Sequence, residues 1–148
     1  LHGAKRGISI TTDIIVGFPG ETEKDFEETL SLLDAAQYDL VYAFKYSPRP
    51  NTPSLKMVDA LPEEEKSRRL AALNAKQQSI QVSRNAGLVG QRFEVLVEGK
   101  SRRENQWTGH TPCNRILNFT SPERDILGHY RQIRVTGAGA NSLVGEAE

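Results

Sequence analysis

Two hydrophobic periodicities divide the chain at Gly87, and no single small fold accommodates both. Ahead of it, Ile8-Ser9-Ile10-Thr11-Thr12-Asp13-Ile14-Ile15-Val16 is rich in β-branched residues and predicts a buried strand, which Gly17-Phe18-Pro19-Gly20 breaks. Thr22 with Asp25 three residues on has capping-box spacing, and Phe26, Leu30 and Leu33 recur on one face of a helix that should end near Ala36. Leu40 to Tyr46 reads as a second strand, so the order is strand, helix, strand, which predicts parallel pairing and α/β architecture.

Ser47-Pro48-Arg49-Pro50-Asn51-Thr52-Pro53 cannot continue a ladder, because its three prolines remove three backbone donors. Pro62 and the acidic Glu63, Glu64 and Glu65 then predict a helix start, with Leu70, Leu73, Gln77 and Ile80 marking one side as far as Gly87. Beyond Gly87 the pattern turns to five short β-rich segments: Gln91 to Glu98, Trp107 to Thr111, Arg115 to Phe119, Tyr130 to Thr136 and Ser142 to Glu146. Gly99, Pro112, Pro122, Gly128, Gly137 and Gly139 are expected in the intervening turns. Five short strands predict a small closed barrel, which leaves no exposed edges. The fold class expected is therefore α/β plus all-β, with residues 1–87 and 88–148 as the two parts.

Composition narrows the classes of function. Of the 148 residues, 37% are hydrophobic and 26% charged, as in soluble globular proteins, and no stretch nears the roughly 20 apolar residues of a membrane span. A cytoplasmic protein with no membrane partner is expected. The start at Leu1, without an initiator Met or a signal-type segment, suggests a piece of a longer chain. Cys113 is the one cysteine, which excludes an internal disulfide and cannot supply a multi-thiolate metal site; in a turn without an obvious partner it reads as a bystander. His2, His110 and His129 lack metal-ligand spacing, so no metal residue is assigned. Basic and acidic residues number 11 and 12 up to Gly87 and 8 and 7 after it, so any nucleic-acid binding must rest on local placement.

Three groups of residues could carry chemistry. At Asp13 to Thr22 a strand ends in a glycine loop and a helix begins, the place where ligands of α/β folds bind; the competing reading is a turn whose glycines satisfy φ alone. Arg49, held between Pro48 and Pro50, could reach phosphate or carboxylate, or be a solvated side chain. Lys100, Arg102, Arg103 and Arg115 lie near Trp107 and Phe119, the mix of cations and aromatic faces that suits single-stranded RNA; against it, surface arginines are often solvated and Phe119 could be core.

The string Asp13-Ile14-Ile15-Val16-Gly17-Phe18-Pro19-Gly20-Glu21-Thr22 followed by Tyr46-Ser47-Pro48-Arg49-Pro50-Asn51-Thr52-Pro53 closely resembles the radical-SAM methylthiotransferase family. Trp107-Thr108-Gly109-His110-Thr111 and Asn114-Arg115-Ile116-Leu117-Asn118-Phe119 extend the resemblance to the TRAM domain of the branch acting on N6-dimethylallyladenosine in tRNA. The resemblance implies that residues 1–87 are the end of a partial TIM-like radical-SAM barrel with a bridging helix, and 88–148 a TRAM (OB-like) RNA-binding β-barrel. It further implies S-adenosyl-L-methionine and two 4Fe-4S clusters as cofactors of the full-length enzyme, an external electron donor, and the anticodon stem-loop of tRNA as partner of a monomer. The family's cluster cysteines are absent here, so no catalytic or metal-binding residue is carried over and the chain alone is expected to be inactive.

By the same resemblance, Asp13, Ile15, Val16, Gly17, Phe18 and Gly20 would line the adenosine side of S-adenosylmethionine, with Phe44 and Tyr46 beside them, while Glu21 and Thr22 shape the loop and cap the helix. Arg49, Lys100, Arg102, Arg103, Trp107, Arg115 and Phe119 would contact RNA. A sister branch with another substrate and a stand-alone RNA-binding module are the rival readings.

Overall fold

The computed structural model describes residues 8–58, 60–103 and 105–148. Those residues form two compact units, Ile10–Ile80 and Gln81–Glu148.

In the first unit, β1 (Thr11–Val16) and β2 (Leu40–Lys45) pair in parallel from Thr11↔Leu40 to Val16↔Lys45, and α1 (Glu23–Ala36) connects them. β1 begins three residues later than the β-branched run suggests. Ile10 instead exchanges bonds with Asp39, its N–H donating to the Asp39 carboxylate at 2.9 Å and its carbonyl accepting the Asp39 N–H at 2.9 Å. α1 starts where expected: the Thr22 hydroxyl accepts the Asp25 N–H at 3.2 Å while the Asp25 carboxylate accepts the Thr22 N–H at 2.8 Å. That pair of bonds satisfies two of the amides a helix start leaves unpaired. The Thr22 hydroxyl also donates to the Asp25 carboxylate at 2.7 Å, and this bond first, then that of the Thr22 N–H, holds the Asp25 carboxyl below its usual range.

The core of this unit is Val16, Phe26, Leu33, Leu73 and Ile80, so α1 and the second helix, α2 (Glu63–Ala86), cover one face of the two-stranded sheet. Successive strand residues point to opposite faces. Ile14 and Val16 therefore turn to the helices, and Ile15, Tyr42 and Phe44 remain about half exposed on the other face.

The second unit is a closed barrel of β3 (Arg92–Lys100), β4 (Trp107–His110), β5 (Ile116–Thr120), β6 (Tyr130–Ala138) and β7 (Leu143–Ala147) in the order β3-β4-β5-β7-β6. All neighbours are antiparallel except β5 and β7, which run parallel in register Leu117↔Leu143. Val95, Val97, Trp107, Leu117, Phe119, Ile126, Ile133, Val135 and Leu143 fill it. Gly109 is there because β3 passes so close that a Cβ would sit 2.0 Å from the Leu96 carbonyl oxygen.

Two glycines expected in turns lie inside strands instead. Gly99 is at a register shift of β3 between Val97 and Gly99, and Gly137 at one of β6 between Val135 and Gly137. An unpaired extra residue bends a strand and reaims the side chains beyond it, which is the use glycine finds there. The tail of α2 belongs to this unit: buried Asn85 donates to the carbonyls of Gly139 at 2.8 Å and Ala140 at 3.1 Å, and its Oδ1 accepts from Arg115 Nε at 3.0 Å.

Candidate functional site

β2 runs out into the proline-rich segment, and the two together with the start of α2 enclose a pocket of about 770 Å³ in the first unit. Ile15, Phe18, Phe44 and Tyr46 supply its apolar wall, and Lys45, Arg49, Glu63 and Lys66 its charges. The size lies within the range of small-ligand pockets, roughly 300–1,000 Å³. Tyr46 is fixed: its hydroxyl donates to the Ser54 carbonyl at 3.3 Å and its ring meets Phe18 edge-on at 5.1 Å. Arg49 has no charged partner among the described residues, whereas Lys45 and Lys66 both reach Glu63, at 3.0 and 3.3 Å. Their bonds, Lys45 first, hold the Glu63 carboxyl below its usual range.

Half of the residues proposed for S-adenosylmethionine thus meet in one cavity, and half do not. Val16 is fully enclosed in the core on the opposite face from Ile15, because neighbours in a strand cannot face the same ligand. Asp13 lies on the open face opposite Tyr42 in register but does not line the pocket. Gly20 shapes the loop with φ +89°.

Gly17, at φ +73°, does not line the pocket, and its backbone closely approaches α2: a Cβ there would lie 2.5 Å from Lys66 Cγ. The loop's amides are also occupied, since Gly17 N–H and Phe18 N–H, the latter at 3.1 Å, donate to the Glu21 carboxylate. Glu21 in turn meets Arg69 at 3.4 Å.

Lys66, which lines the pocket, and Arg69, one turn further along α2, are buried cations that the sequence pattern conceals. Both sit 3% exposed on the same stripe of α2 as Leu73, Gln77 and Ile80, extended one and two turns back. Arg69 binds Glu23 at 3.1 Å and Glu65 at 2.8 Å, and its guanidinium lies 5.4 Å from the Phe26 ring centre. Arg68 adds bonds to Glu23 and Glu65. Hydrogen bonds from Arg68 and then Arg69 hold the Glu65 carboxyl down at about 2. A helix spacing of basic residues normally signals a solvated face; here carboxylates from the end of the glycine loop draw it inward.

In the barrel the RNA candidates separate. Phe119 is wholly enclosed in the core and has no face to offer a base. Arg115 is held by Asn85. Trp107 is 6% exposed, and the Lys100 ammonium lies 3.3 Å from its ring centre. Arg102 and Arg103 are exposed on the β3–β4 hairpin.

Among the described residues no group of three or more His, Cys, Asp or Glu is placed to hold a metal ion. Nor is any helix among them long and apolar enough to cross a membrane.

The closed barrel defines the class of this second unit: residues 87–147 match the TRAM domain. The rest of the likeness is broader. The chain is 56% identical over 150 residues to the tRNA-2-methylthio-N(6)-dimethylallyladenosine synthase of Solibacter usitatus, an alignment covering 99% of this chain and 34% of that protein. The synthase of the same name in Koribacter versatilis is 55% identical over 143 residues, covering 95% of this chain and 32% of its own, and that of Geobacter sulfurreducens 42% over 146, covering 99% and 32%. The chain is homologous to this family of methylthiotransferases and carries its TRAM domain. It spans about a third of the length of these relatives.

Proposed function

We propose that the chain serves tRNA modification as part of a radical-SAM methylthiotransferase that modifies C2 of N6-dimethylallyladenosine beside the anticodon. The observation that carries this reading is the pocket between β2 and the proline-rich segment, where Ile15 and Phe18 of the first resemblance segment meet Tyr46, Pro48 and Arg49 of the second. Its apolar wall of Ile15, Phe18, Phe44 and Tyr46 fits an adenine ring, and its cations fit a carboxylate or phosphate. When bound, S-adenosylmethionine supplies the radical and the methyl group of the family's chemistry. This chain's own residues orient the adenosine part and exclude water from it. One cysteine does not fit the three thiolates of a cluster.

In this reading residues 1–87 are the closing part of a partial TIM-like barrel in the cytoplasmic full-length enzyme, and 88–148 the barrel that binds the anticodon stem-loop. The half-exposed face of Ile15, Tyr42 and Phe44 supports the first assignment, since such a face on a barrel strand would point into the barrel.

Mass spectrometry of tRNA nucleosides from cells lacking the full-length gene tests the reading. Loss of the methylthio group with accumulation of N6-dimethylallyladenosine, restored by the gene, is the expected result. An unchanged nucleoside profile overturns it, and loss of a different methylthio nucleoside moves the chain to a sister branch.

A further inference from the structure

The barrel's arginines fall into two sets. Arg92 is paired with Glu148 at 2.6 Å, Arg131 with Glu123 at 2.5 Å, and Arg134 with Glu146 at 3.1 Å. These cations are neutralised where they stand. Arg102 and Arg103 have no charged partner among the described residues, and Lys100 meets an indole rather than a carboxylate. The nearest acid along the strand, Glu98, is engaged with His110 Nδ1 at 2.6 Å. Arg124, between β5 and β6, likewise has no ion pair among the described residues, but three cations without a described carboxylate partner gather on the β3–β4 hairpin, which the Ser101 N–H closes by donating to the Gln106 carbonyl at 2.8 Å.

Lys100 reaches Trp107 because of the irregularity in β3. Alternation from Val95 and Val97, both inward, would turn Lys100 outward, three residues on. The register instead runs Val97↔Gly109, then Gly99↔Thr108 and Lys100↔Trp107, so Glu98 is passed over and Lys100 comes to the side of the inward Trp107. A bulge is a standard means of reaiming a side chain. The indole is buried in the core on its other sides, and the ammonium covers the face that remains.

We propose that Lys100, Arg102 and Arg103 form a three-cation grip for consecutive tRNA phosphates on the β3–β4 hairpin, and that Trp107 positions Lys100 in it and is not a base-stacking platform. The proposal rests on the reading of the barrel as tRNA-binding and names the contact within it. A phosphate backbone suits the grip because cations fixed along a hairpin match a linear array of charges, and a cation held by an aromatic face keeps its full charge.

The test is equilibrium binding of end-labelled tRNA to the 148-residue chain at several salt concentrations, read by the anisotropy of the label, with the emission of Trp107, the one tryptophan, recorded separately in the chains that keep it. Lys100→Gln should flatten log affinity against log salt by about 0.7–0.9, and the triple change of Lys100, Arg102 and Arg103 to Gln by roughly 2–3. Lys100→Arg and Trp107→Phe, which keep a cation over a ring, should retain the wild-type slope, whereas Trp107→Leu should behave like Lys100→Gln. Lys100→Gln should shift Trp107 emission without RNA, and bound RNA should leave wild-type emission near its free value.

An unchanged slope in the triple variant, with tRNA still bound, overturns the grip and leaves the tRNA-binding reading standing. Strong quenching of Trp107 by RNA in the wild type overturns its positioning role in favour of stacking. A wild-type chain that binds no tRNA at any salt overturns the underlying reading and the grip with it. Circular dichroism of each variant identifies any that fails to fold, and Lys100→Gln, on an exposed side chain, keeps the test decisive if Trp107→Leu does.

Discussion

The barrel gives each of its five strands two hydrogen-bonded neighbours, whereas the sheet of the first unit has two strands, one pairing and one covered face. The first solution is self-contained and offers partners only loops and outward side chains. The second leaves strand edges and an apolar face for something else to meet. The predicted ligand residues lie on the open sheet and its loops, while the barrel's predicted aromatic contacts turn out to be core. The closed sheet encloses Trp107 and Phe119, leaving Tyr130 outward, whereas the open sheet presents Tyr42 and Phe44 on its uncovered face.

Phe119→Ala breaks the comparison most directly. Emptying a fully enclosed aromatic site should cost about 3–5 kcal/mol, and amide hydrogen exchange should show protection lost across β3 to β7 but kept in β1, β2 and α1. Equal loss in both regions would show that they unfold as one.

Gly17→Val probes the open unit. A β-branched residue at positive φ, displacing the buried stem of Lys66, should cost about 2–4 kcal/mol, read as a lower midpoint in urea. Intact stability with weakened nucleoside binding would show that the glycine exists for a ligand.

A smaller effect belongs to the helix start beside the pocket. Thr22→Ala removes the side-chain half of the capping box and should destabilise α1 by about 1 kcal/mol, with faster exchange of the Asp25 amide as its signature.

The smallest effect is one of pH. The Glu65 carboxyl is depressed to about 2 by Arg68 and Arg69, from an ordinary value of 4.5. Its contribution is therefore fully present above pH 4.5 and lost as the pH falls through about 2. Glu65→Gln should lower the melting temperature slightly at neutral pH, by a margin that narrows over that interval; a constant margin would mean the charge is immaterial.

Local rules carried much of this into the sequence. The capping box at Thr22 and Asp25, the parallel strand-helix-strand order and the five short strands depend on contacts or periods within a few residues, and each is present. What the sequence concealed depends on tertiary partners. Lys66 and Arg69 look solvated until Glu21, Glu23, Glu63 and Glu65 are folded around them. Ile15 and Val16 look equivalent until one face of β1 is covered. The bulge at Glu98 breaks an alternation that the residues themselves continue, so nothing local marks the reversal that brings Lys100 to Trp107. Asn85, polar and near the end of a helix, shows no sign beforehand of holding Arg115 and the β6–β7 turn.

The place of β7 in the barrel order has a consequence during synthesis. β7 lies between β5 and β6, both of which leave the ribosome before it. Until Leu143–Ala147 has cleared the exit tunnel, those two strands have complementary vacant edges and no strand to join them. A nascent chain that pauses in this interval exposes both to neighbouring polysome products and to proteases, so the loss of one five-residue strand would convert a sheet without ends into one with two.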